Sequence, residues 1–426
     1  MDHAWNERRS AACPRGVGLV TGIYAARAQG SELHDSAGRR YIDFAGGIGV
    51  LNVGHRHPRV EAAIVEQAGR FTHTCYQVVP YSEYITLAER LNALVPGDFA
   101  KKTVFFTTGV EAVENAIKIA RCATGRTAVI CFTGAFHGRT MMGLALTGKV
   151  APYKQGFGPL PGDVYRAPFP HDDSVESVAE TMAALDDLFR YDVDVSRVAA
   201  ILIEPVQGEG GFYPAPRALI HALRALCDKH GILLIADEIQ CGLGRTGKMF
   251  AMEHFDVAAD ITTVAKSLAG GMPLSGVVGR AEVMDAVSPG GLGSTYGGAP
   301  LSVAAAHAVL DVFEKEGLME NGNRLAQIIR LRLEQAQTRF GCIGSVRGLG
   351  PMLAMELVDE EGRPAPALAH QIREFALANG LILLVCGSYG NVIRFLFPLN
   401  TPMRVFEEGL DILDSALAHV NQEQTA

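Results

Sequence analysis

The sequence predicts an α/β fold with a mostly parallel central sheet flanked by helices, together with a smaller α+β domain built from both termini. Between Thr103 and Gly279, short apolar runs alternate with longer segments of helical periodicity, the pattern of strands joined by crossover helices. The runs are continuous rather than alternating, so we expect strands that are buried on both faces. Outside this region, the two ends of the chain contain hairpin and helix signals of their own.

Six apolar runs are predicted to be the strands of the central sheet. Apolar residues at helical spacing predict helices between them, over 110–123 and over 216–230, and the second helix opens with a proline. In chain order, the predicted strands cover residues 103–108, 127–133, 198–205, 231–237, 261–266 and 275–279.

The termini predict the second, smaller domain. Residues 31–44 contain an Asp-Ser-Ala-Gly turn between two short strands, and a long helical stretch at 301–340 precedes a strand at 391–399. A chain of 426 residues also exceeds the usual size of one hydrophobic core. The predicted segments are an N-terminal part of the small domain (1–57), a large α/β domain (58–322) and a C-terminal part of the small domain (323–426).

Composition and charge narrow the class of protein. Charged residues make up 20% of the chain and the net charge is -8, without a basic run, so no nucleic-acid partner is expected. No uncharged run is long enough to cross a bilayer and the N-terminus lacks an apolar leader, which predicts a cytoplasmic protein with no membrane partner. The eight cysteines lack zinc-type spacing and are expected to be reduced thiols.

Three of the predicted strands end at or just before a residue suited to binding or catalysis, at the sheet edge where ligands bind in open α/β folds. Gly109 follows the first strand and opens a helix whose N-terminal N–H groups suit a phosphate. Asp237 ends the fourth strand, where its carboxylate suits a cationic ring nitrogen. Lys266 ends the fifth strand among apolar neighbours, and an amine in such surroundings loses its proton more easily than one in water.

Together, these three groups are the parts that a pyridoxal 5'-phosphate site requires. The lysine forms a Schiff base with the cofactor and later moves the proton, and the aspartate keeps the pyridine nitrogen protonated. Taken singly, each group is weak evidence, because a strand-end aspartate is as often a helix cap and a glycine before a helix is more often a plain turn. Their occurrence together favours the cofactor site.

Longer motifs carry a resemblance to a known family. They are IDFAGGIGVLNVGHRHP (42–58), HTCYQV (73–78), VPGDFAKKT (95–103), GAFHGRTMMGLALTGK (134–149), IEPVQGEGGF (203–212), LLIADEIQCGLGRTGKMFAMEH (233–254), TTVAKSLAGGMPLSGVVGRAEVMDAV (262–287) and GGLGSTYGG (290–298). In order and spacing they resemble the class III (subgroup II) pyridoxal-phosphate-dependent aminotransferases of fold type I, most closely the 4-aminobutyrate aminotransferases. The similarity extends from about Gly16 to the last helix.

The resemblance implies a set of cofactor-binding residues. Lys266 is then the Schiff-base lysine and Asp237 the partner of the pyridinium nitrogen, in agreement with the interpretation from the strand ends. Phe136 is expected to stack on the ring. The other implied contacts are Gly109, Val110, His137, Glu204, Gln240 and, from the other subunit of a homodimer or dimer of dimers, Thr295.

The resemblance also implies a substrate site. Arg139 is expected to clamp the carboxylate remote from the reacting amine, a task that suits a bidentate guanidinium. Arg394 is the implied clamp for an α-carboxylate, and Glu209 is the implied gate that pairs with Arg394 when the donor has no α-carboxylate. Ile48 stands where ornithine-acting relatives tend to carry tyrosine, which favours 4-aminobutyrate over ornithine.

The implied reaction transfers the ω-amino group of 4-aminobutyrate, or of 5-aminovalerate, to a 2-oxo acid acceptor, 2-oxoglutarate. It gives the semialdehyde and glutamate by a ping-pong mechanism. Three positions depart from the family pattern: Val110 stands where relatives usually have serine, Ala299 replaces a common asparagine, and Phe136 is one of several aromatic options at the stacking position. The first departure removes a hydroxyl contact to the phosphate, so we expect a lower cofactor affinity.

Several alternatives stay open at this point. The same cofactor site serves ornithine- and acetylornithine-type aminotransferases, aminomutases and decarboxylases, and a non-catalytic regulator is a further option. Gly242–Gly247 also satisfies G-x-G-x-x-G, the pattern of NAD-dependent oxidoreductases, and with Lys248 nearly spells a nucleotide-binding P-loop. Met249 stands where a P-loop needs Ser or Thr, and four residues separate the strand from the loop, so a glycine-rich surface loop is favoured.

Three histidines raise the question of a metal site. His55, His57 and His73 lie close in sequence, and imidazoles two residues apart on an extended segment sometimes converge on one ion. No carboxylate or cysteine accompanies them at ligand spacing. Structural polar histidines are therefore favoured and no metal is expected.

Overall fold

Within residues 2–425, the part of the chain that our computed structural model describes, strands and helices alternate. The strands are β1 (Ala25–Gln29), β2 (Glu32–Asp35), β3 (Arg40–Asp43), β4 (Lys101–Phe106), β5 (Ala128–Phe132), β6 (Val164–Ala167), β7 (Val198–Ile203), β8 (Val206–Gln207), β9 (Tyr213–Pro214), β10 (Leu233–Asp237), β11 (Ile261–Val264), β12 (Ser275–Arg280), β13 (Ile343–Leu349), β14 (Met352–Leu357), β15 (Leu381–Ile382), β16 (Leu384–Cys386) and β17 (Val392–Phe395). The helices are α1 (Asp2–Ala12), α2 (Gly46–Gly49), α3 (Pro58–Arg70), α4 (Ser82–Leu94), α5 (Gly109–Thr124), α6 (Met141–Leu146), α7 (Val175–Asp187), α8 (Arg217–His230), α9 (Ala281–Met284), α10 (Pro300–Lys315), α11 (Leu318–Arg339), α12 (Pro366–Ala378) and α13 (Met403–Thr425).

Seven strands form the central sheet, in the order β4-β12-β11-β10-β7-β5-β6. All of them run parallel except β12, which pairs antiparallel with β11 and β4. Because parallel strands place their carboxyl ends at one edge, the segments that follow β4, β5, β7, β10 and β11 begin close together. The predicted class, a mostly parallel α/β sheet flanked by helices, is confirmed.

Helices cover both faces of the sheet. Along β5, Ala128, Ile130 and Phe132 pack in a cluster with residues of α7 and α8, whereas Val129 and Cys131 pack in a cluster with residues of α5. Successive side chains of a strand point to opposite faces, so a strand buried on both faces has no polar alternation. Each fully buried large aliphatic side chain stabilises the fold by about 1.5–3 kcal/mol.

The positions of the predicted strands agree closely with the structure, but their predicted burial does not agree everywhere. All six predicted runs form strands, and their ends are displaced by at most two residues. The prediction of burial on both faces is wrong for β4, where Lys102 is exposed and Thr103 and Val104 are half-buried, because β4 lies at the edge of the sheet. The opposite edge strand, β6, was not predicted, since it is short and half-buried.

Both ends of the chain contribute to the smaller sheets. The hairpin predicted at 31–44 forms as β2 and β3, and β15 pairs with β3 so that Leu381 lies beside Ile42. The helical stretch predicted at 301–340 is two helices, because Gly317 takes a left-handed conformation with a φ of 61° between them.

The predicted domain limits stay predictions. The limit at 57 coincides with the start of α3, and the limit at 322 falls inside α11. As for membranes, a helix both long and apolar enough to cross a bilayer does not occur among residues 2–425.

Candidate active site

A cavity of about 380 Å³ opens at the carboxyl edge of the central sheet. The segments that follow β4, β5, β7, β10 and β11 all contribute to its wall, as the strand order requires. Nine of the residues predicted for the site line it: Gly109, Val110, Phe136, His137, Glu204, Glu209, Asp237, Gln240 and Lys266.

Lys266 begins a single 3-10 turn, Lys266–Ala269, two residues beyond the end of β11. The prediction that Lys266 itself ends the strand is therefore wrong. Its backbone lies in the left-handed region, with a φ of 43°, a conformation that costs a non-glycine residue about 1–3 kcal/mol. The next residue anchors the turn, because the Ser267 hydroxyl donates to the Gly49 carbonyl oxygen at 2.8 Å.

The surroundings of Lys266 act on its amine in opposite directions. Removal from water lowers the pKa of Lys266 below its ordinary value of 10.5, while the carboxylates of Asp237, Glu209 and Glu204 act to raise it. Removal from water prevails. The neutral amine that nucleophilic attack and proton abstraction require is therefore easier to form here than on the surface.

Asp237 is the last residue of β10 and is buried. One of its carboxylate oxygens accepts from the Thr263 hydroxyl at 2.9 Å and from the Ile239 N–H at 3.2 Å. The other lies 2.7 Å from Nδ1 of His137. These contacts fix the carboxylate at the cavity wall. The strand-end position of Asp237 agrees with the prediction, and its pairing with His137 was not foreseen.

Glu204 follows β7 and is also buried. Its two oxygens accept from the backbone N–H of Phe136 at 2.6 Å and of Gly208 at 2.7 Å. Burial raises the pKa of Glu204 to about 7. Glu204 thereby ties the loop of Phe136 to the loop that carries Glu209.

The N-terminus of α5 forms one end of the cavity. The Thr108 hydroxyl accepts from the Glu111 N–H, and the Glu111 carboxylate accepts from the Thr108 N–H at 2.7 Å, which together form a capping box. The first N–H groups of the helix, on Gly109 and Val110, have no carbonyl of a preceding turn to bind. A Cβ on Gly109 would lie 3.1 Å from the Ile239 side chain, so glycine allows the close packing here.

Two polar atoms at the cavity are buried without a hydrogen-bond partner among the described residues. They are Nε2 of His137 and Oε1 of Gln240. Unpaired buried polar atoms are rare in native proteins, and a polar ligand in the cavity would satisfy both of these. With an anion site at a helix N-terminus, a buried carboxylate and a lysine of lowered pKa, the residues present fit pyridoxal phosphate.

Glu209 and Arg394 form an ion pair beside this cavity. Nη1 of Arg394 donates to Oε1 of Glu209 at 2.5 Å, and the Arg394 side chain is only 4% exposed. Burial acts to raise the pKa of Glu209, but Arg394 together with Lys266 and Tyr153 outweighs it and leaves the pKa lowered. Burial likewise opposes the charge of Arg394, yet the pKa of Arg394 is raised, chiefly by Glu209. Both groups are therefore charged.

Arg139 is exposed and does not line the cavity. Its guanidinium lies over the ring of Tyr153, 4.9 Å from the centroid, and the Tyr153 ring packs 5.0 Å from that of Phe136. The structure thus connects Arg139 to the cavity wall through Tyr153, a residue that the sequence analysis missed. Tyr153 lies in a loop without helical or strand periodicity, so no sequence signal pointed to it.

Two further predicted residues, besides Arg139 and Arg394, lie outside the cavity wall of this chain. Ile48 is 44% exposed, with a φ of 67°, and Val50 lines the cavity in the same segment. Thr295 is exposed in the loop before α10. An exposed position is what a contact to a second subunit requires, and both assignments stay predictions.

The glycine-rich segment 242–247 is not a surface loop, and that prediction is wrong. Arg245 is fully buried, its guanidinium donating to the Phe397 carbonyl oxygen at 3.0 Å and to the Asn52 side chain. The segment forms turns and leads to a short 3-10 helix at Ala251–His254. A dinucleotide site instead needs this motif to open an α-helix directly after a strand, so the structure disfavours that alternative.

The three histidines considered as metal ligands contact different partners. His55 lies 2.8 Å from Asp43, and His57 lies 3.2 Å from Glu316. The His73 ring faces that of Tyr296 at 5.0 Å. Each of these imidazoles thus contacts a different side chain, Asp43, Glu316 or Tyr296.

A lysine of lowered pKa, a buried strand-end aspartate and an open helix N-terminus meet in one cavity of a mostly parallel α/β sheet. Fold and site together define a pyridoxal-phosphate-dependent transferase. The Aminotransferase class-III family model matches residues 13–417. The chain therefore belongs to the class III aminotransferases.

Similar proteins agree over nearly the whole chain. The 5-aminovalerate aminotransferase of Pseudomonas putida is 53% identical over 416 residues, which are 97% of this chain and 98% of that protein. The 4-aminobutyrate aminotransferase of Escherichia coli is 52% identical, over 98% of both chains. An amine transaminase from an uncultivated Pseudomonas species, solved in its PLP-bound form, superposes with a TM-score of 0.87 at 29% identity and covers 96% of this chain and 98% of that one.

Membership in this family confirms the predicted class of enzyme, its fold type and its pyridoxal phosphate cofactor. The roles of the individual site residues stay predictions.

Proposed function

We propose that this chain is an ω-aminotransferase that moves the amino group of 4-aminobutyrate or 5-aminovalerate to 2-oxoglutarate, giving the semialdehyde and glutamate. The observation that supports it is the buried Glu209–Arg394 ion pair beside Lys266. The relatives named for 5-aminovalerate and 4-aminobutyrate support the same substrates.

The ion pair suits two substrates that differ at one carboxylate. An ω-amino donor has no carboxylate on its reacting carbon, so Glu209 can stay on Arg394 and keep the buried guanidinium neutralised. A 2-oxo acid has one, and it can bind Arg394 in a bidentate manner only after Glu209 moves away. One cavity then accepts both substrates in turn, which a ping-pong reaction requires.

Arg139 is the proposed site for the carboxylate at the other end of both substrates. Its guanidinium is exposed and lies on the Tyr153 ring, where cation–π attraction holds it. Arg394 then binds the carboxylate of a dicarboxylate acceptor that is near the reacting carbon, and Arg139 binds the remote one. Chain length is a weaker criterion, because one methylene changes binding by only about 1–3 kcal/mol. We therefore assign both 4-aminobutyrate and 5-aminovalerate as donors.

Pyridoxal phosphate, when bound, supplies an aldehyde for the substrate amine and a ring that takes up the electrons of a deprotonated carbon. The residues that would hold it are Lys266 by a covalent bond, Asp237 at the ring nitrogen, Phe136 at the ring face, Gly109 and Val110 at the phosphate, and Gln240, His137 and Glu204 around them.

Lys266 is the proposed general base and acid. Once the donor amine has displaced it, its neutral amine would take the proton from the substrate carbon that bears the nitrogen and return it to the carbon on the other side of that nitrogen. Asp237 keeps a proton on the ring nitrogen, because its buried carboxylate is fixed by Thr263 and His137. In the second half-reaction the same groups act in the reverse order.

Dimerisation and a cytoplasmic location complete the proposal. Thr295 is exposed on this chain, and we propose that it reaches the phosphate bound by a second copy.

The Glu209–Arg394 pair also favours an aminotransferase over an aminomutase or a decarboxylase. The pair is explained by a second, dicarboxylate substrate, and those two enzymes use no such substrate.

The decisive experiment traps the cofactor on its lysine. Purified protein is loaded with pyridoxal phosphate, reduced with borohydride and digested, and peptide mass mapping should find the pyridoxyl group on Lys266. Lys266→Ala should lose the label and multiple turnover, whereas Lys248→Ala, at an exposed lysine, should lose neither. A label elsewhere would contradict the assignment.

The substrates are tested by titrating the absorbance of the bound cofactor. Either ω-amine should bleach its visible band, and 2-oxoglutarate should restore it with glutamate as product. Bleaching by ornithine alone, or carbon dioxide as product, would favour the other enzymes of this fold.

A further inference from the structure

Tyr153 contacts two parts of the proposed carboxylate-recognition site, Glu209 and Arg139. It lies in the loop between α6 and β6 and is half-buried. Its hydroxyl donates to Oε2 of Glu209 in a long hydrogen bond of 3.4 Å, and its ring lies under the Arg139 guanidinium and against Phe136. One side chain thus joins the gate, the remote clamp and the cofactor wall.

The two oxygens of Glu209 have different partners. Oε1 accepts from Arg394 and Oε2 from Tyr153, so Glu209 must give up both bonds when it leaves Arg394. Burial and the nearby Glu209 carboxylate raise the pKa of Tyr153 to about 12, so its hydroxyl keeps the proton that it donates. The position of Glu209 on Arg394 is therefore stabilised by a neutral donor as well as by a charge.

We propose that Tyr153 is a positioning residue that sets substrate specificity, its hydroxyl holding Glu209 on Arg394 and its ring supporting Arg139. The inference rests on the proposed function and assigns it a further residue. The hydroxyl favours donors without an α-carboxylate, because only substrates with one require Glu209 to move. The ring serves both kinds of substrate, since both present a carboxylate to Arg139.

Two substitutions test the hydroxyl and the ring of Tyr153 independently. Tyr153→Phe removes the hydroxyl and keeps the ring, so opening of the gate becomes easier and binding to Arg139 is preserved. Tyr153→Leu removes the ring as well, so Arg139 loses its support. Tyr191→Phe is a matched control. Tyr191 is 73% exposed, lies in the segment after α7 and is not part of the cavity wall.

Each half-reaction is measured alone, by following the bound cofactor in single-turnover experiments with 4-aminobutyrate or glutamate as donor. In Tyr153→Phe, kcat/KM for glutamate relative to 4-aminobutyrate should rise about two- to tenfold, the effect of removing one ordinary hydrogen bond. The change should appear in KM for glutamate, with kcat little altered. In Tyr153→Leu, KM should rise for both donors, and Tyr153→Phe should not share that rise.

Three outcomes decide the question. An unchanged glutamate preference in Tyr153→Phe, with a wild-type enzyme that uses both donors, overturns the role of Tyr153 and leaves the proposed function intact. An equal loss for both donors in Tyr153→Phe also overturns it, because a merely structural role would act on both. A wild-type protein that transfers no amino group from either donor overturns the proposed function and this inference together.

Discussion

At the scale of single residues, the chemistry of Lys266 depends on its neighbours more than on its own side chain. Removal from water lowers the pKa of its amine, and the carboxylates of Asp237, Glu209 and Glu204 hold a proton on it. The proposed reaction needs both tendencies, because the amine must first attack as a free base and later act as an acid. A lysine in water would remain protonated at neutral pH.

The opposing influences predict how cofactor loading depends on pH. The amine must be neutral to attack the aldehyde, so the midpoint of the loading rate should lie below the ordinary value of 10.5. Glu209→Gln removes a carboxylate that raises the pKa of Lys266, so its midpoint should move to still lower pH. Stopped-flow loading of cofactor-free protein measures both midpoints. Glu360→Gln, at an exposed glutamate, is the control, and an upward move in Glu209→Gln would contradict the prediction.

Single site residues differ in how far the sequence identified them. Asp237 and Lys266 could be found from the ends of the apolar runs in the sequence, because a charged residue at the end of such a run indicates the sheet edge. Glu209 and Arg394 lie 185 residues apart, and only the resemblance joined them. Tyr153 lies in an irregular loop, where nothing in the local pattern indicates which cavity it faces.

At the scale of elements, the N-terminus of α5 shows a departure from the family pattern with a testable cost. Val110 stands where the resemblance implies a serine, so in the proposed site only backbone N–H groups would bind the phosphate at this position. Val110→Ser adds a hydroxyl and should strengthen cofactor binding by about 1 kcal/mol, or about fivefold in Kd.

Fluorescence or absorbance titration of cofactor-free protein measures that change. Val175→Ser is a matched control, because Val175 is the first residue of α7, which lies outside the cavity wall and has Ser174 as its N-cap. Equal Kd values for Val110→Ser and the unaltered protein would show that the hydroxyl does not reach the phosphate.

The segment Gly46–Gly49 joins the N-terminal strands to the site and depends on left-handed glycines. Gly46 has a φ of 51°, and a Cβ there would lie 2.3 Å from the Leu396 carbonyl oxygen. Gly46→Ala should therefore lower the free energy of unfolding by more than about 2 kcal/mol, since it adds a backbone collision to the usual cost of a left-handed alanine.

Gly38→Ala separates these two costs. Gly38 has a φ of 84° in the turn between β2 and β3, and a Cβ there would meet no atom within 4 Å. Urea unfolding should show a loss of about 1 kcal/mol for Gly38→Ala, the conformational part alone. A similar loss for both variants would mean that Leu396 moves aside without cost.

The positions of the strands were predicted more reliably than the burial of their residues. The continuous apolar runs of the central sheet were predicted within two residues, because strands covered on both faces leave no polar alternation. The exposure of β4 was missed, since position at a sheet edge depends on which strands pair. The burial of segment 242–247 was missed for a similar reason: Arg245 finds its partners at Asn52 and Phe397, far away in sequence.

At the scale of the whole molecule, the proposed dimer predicts that two inactive variants restore one active site. In a mixed dimer of Lys266→Ala with Thr295→Asp, one site combines both alterations, and the other keeps Lys266 from one chain and Thr295 from its partner. Doubly tagged mixed dimers should therefore show about half of the wild-type turnover per dimer, although each parent dimer is inactive.

The matched control pairs Lys266→Ala with Asp237→Asn. Both alterations lie in the cavity of their own chain, so each site of that mixed dimer lacks one group and should stay inactive. Inactivity of the Thr295→Asp mixture as well would place Thr295 at the site of its own chain.

What the sequence by itself determined is the fold class, six of the seven strands of the central sheet, and an aspartate and a lysine within two residues of the strand ends. These follow from short-range patterns, because periodicity and the ends of apolar runs are written in adjacent residues. Tertiary structure alone decided which side chains meet: His137 with Asp237, Arg245 inside the core, and Tyr153 between Glu209 and Arg139. Such contacts depend on how distant loops pack over the sheet edge, and no local pattern specifies that packing.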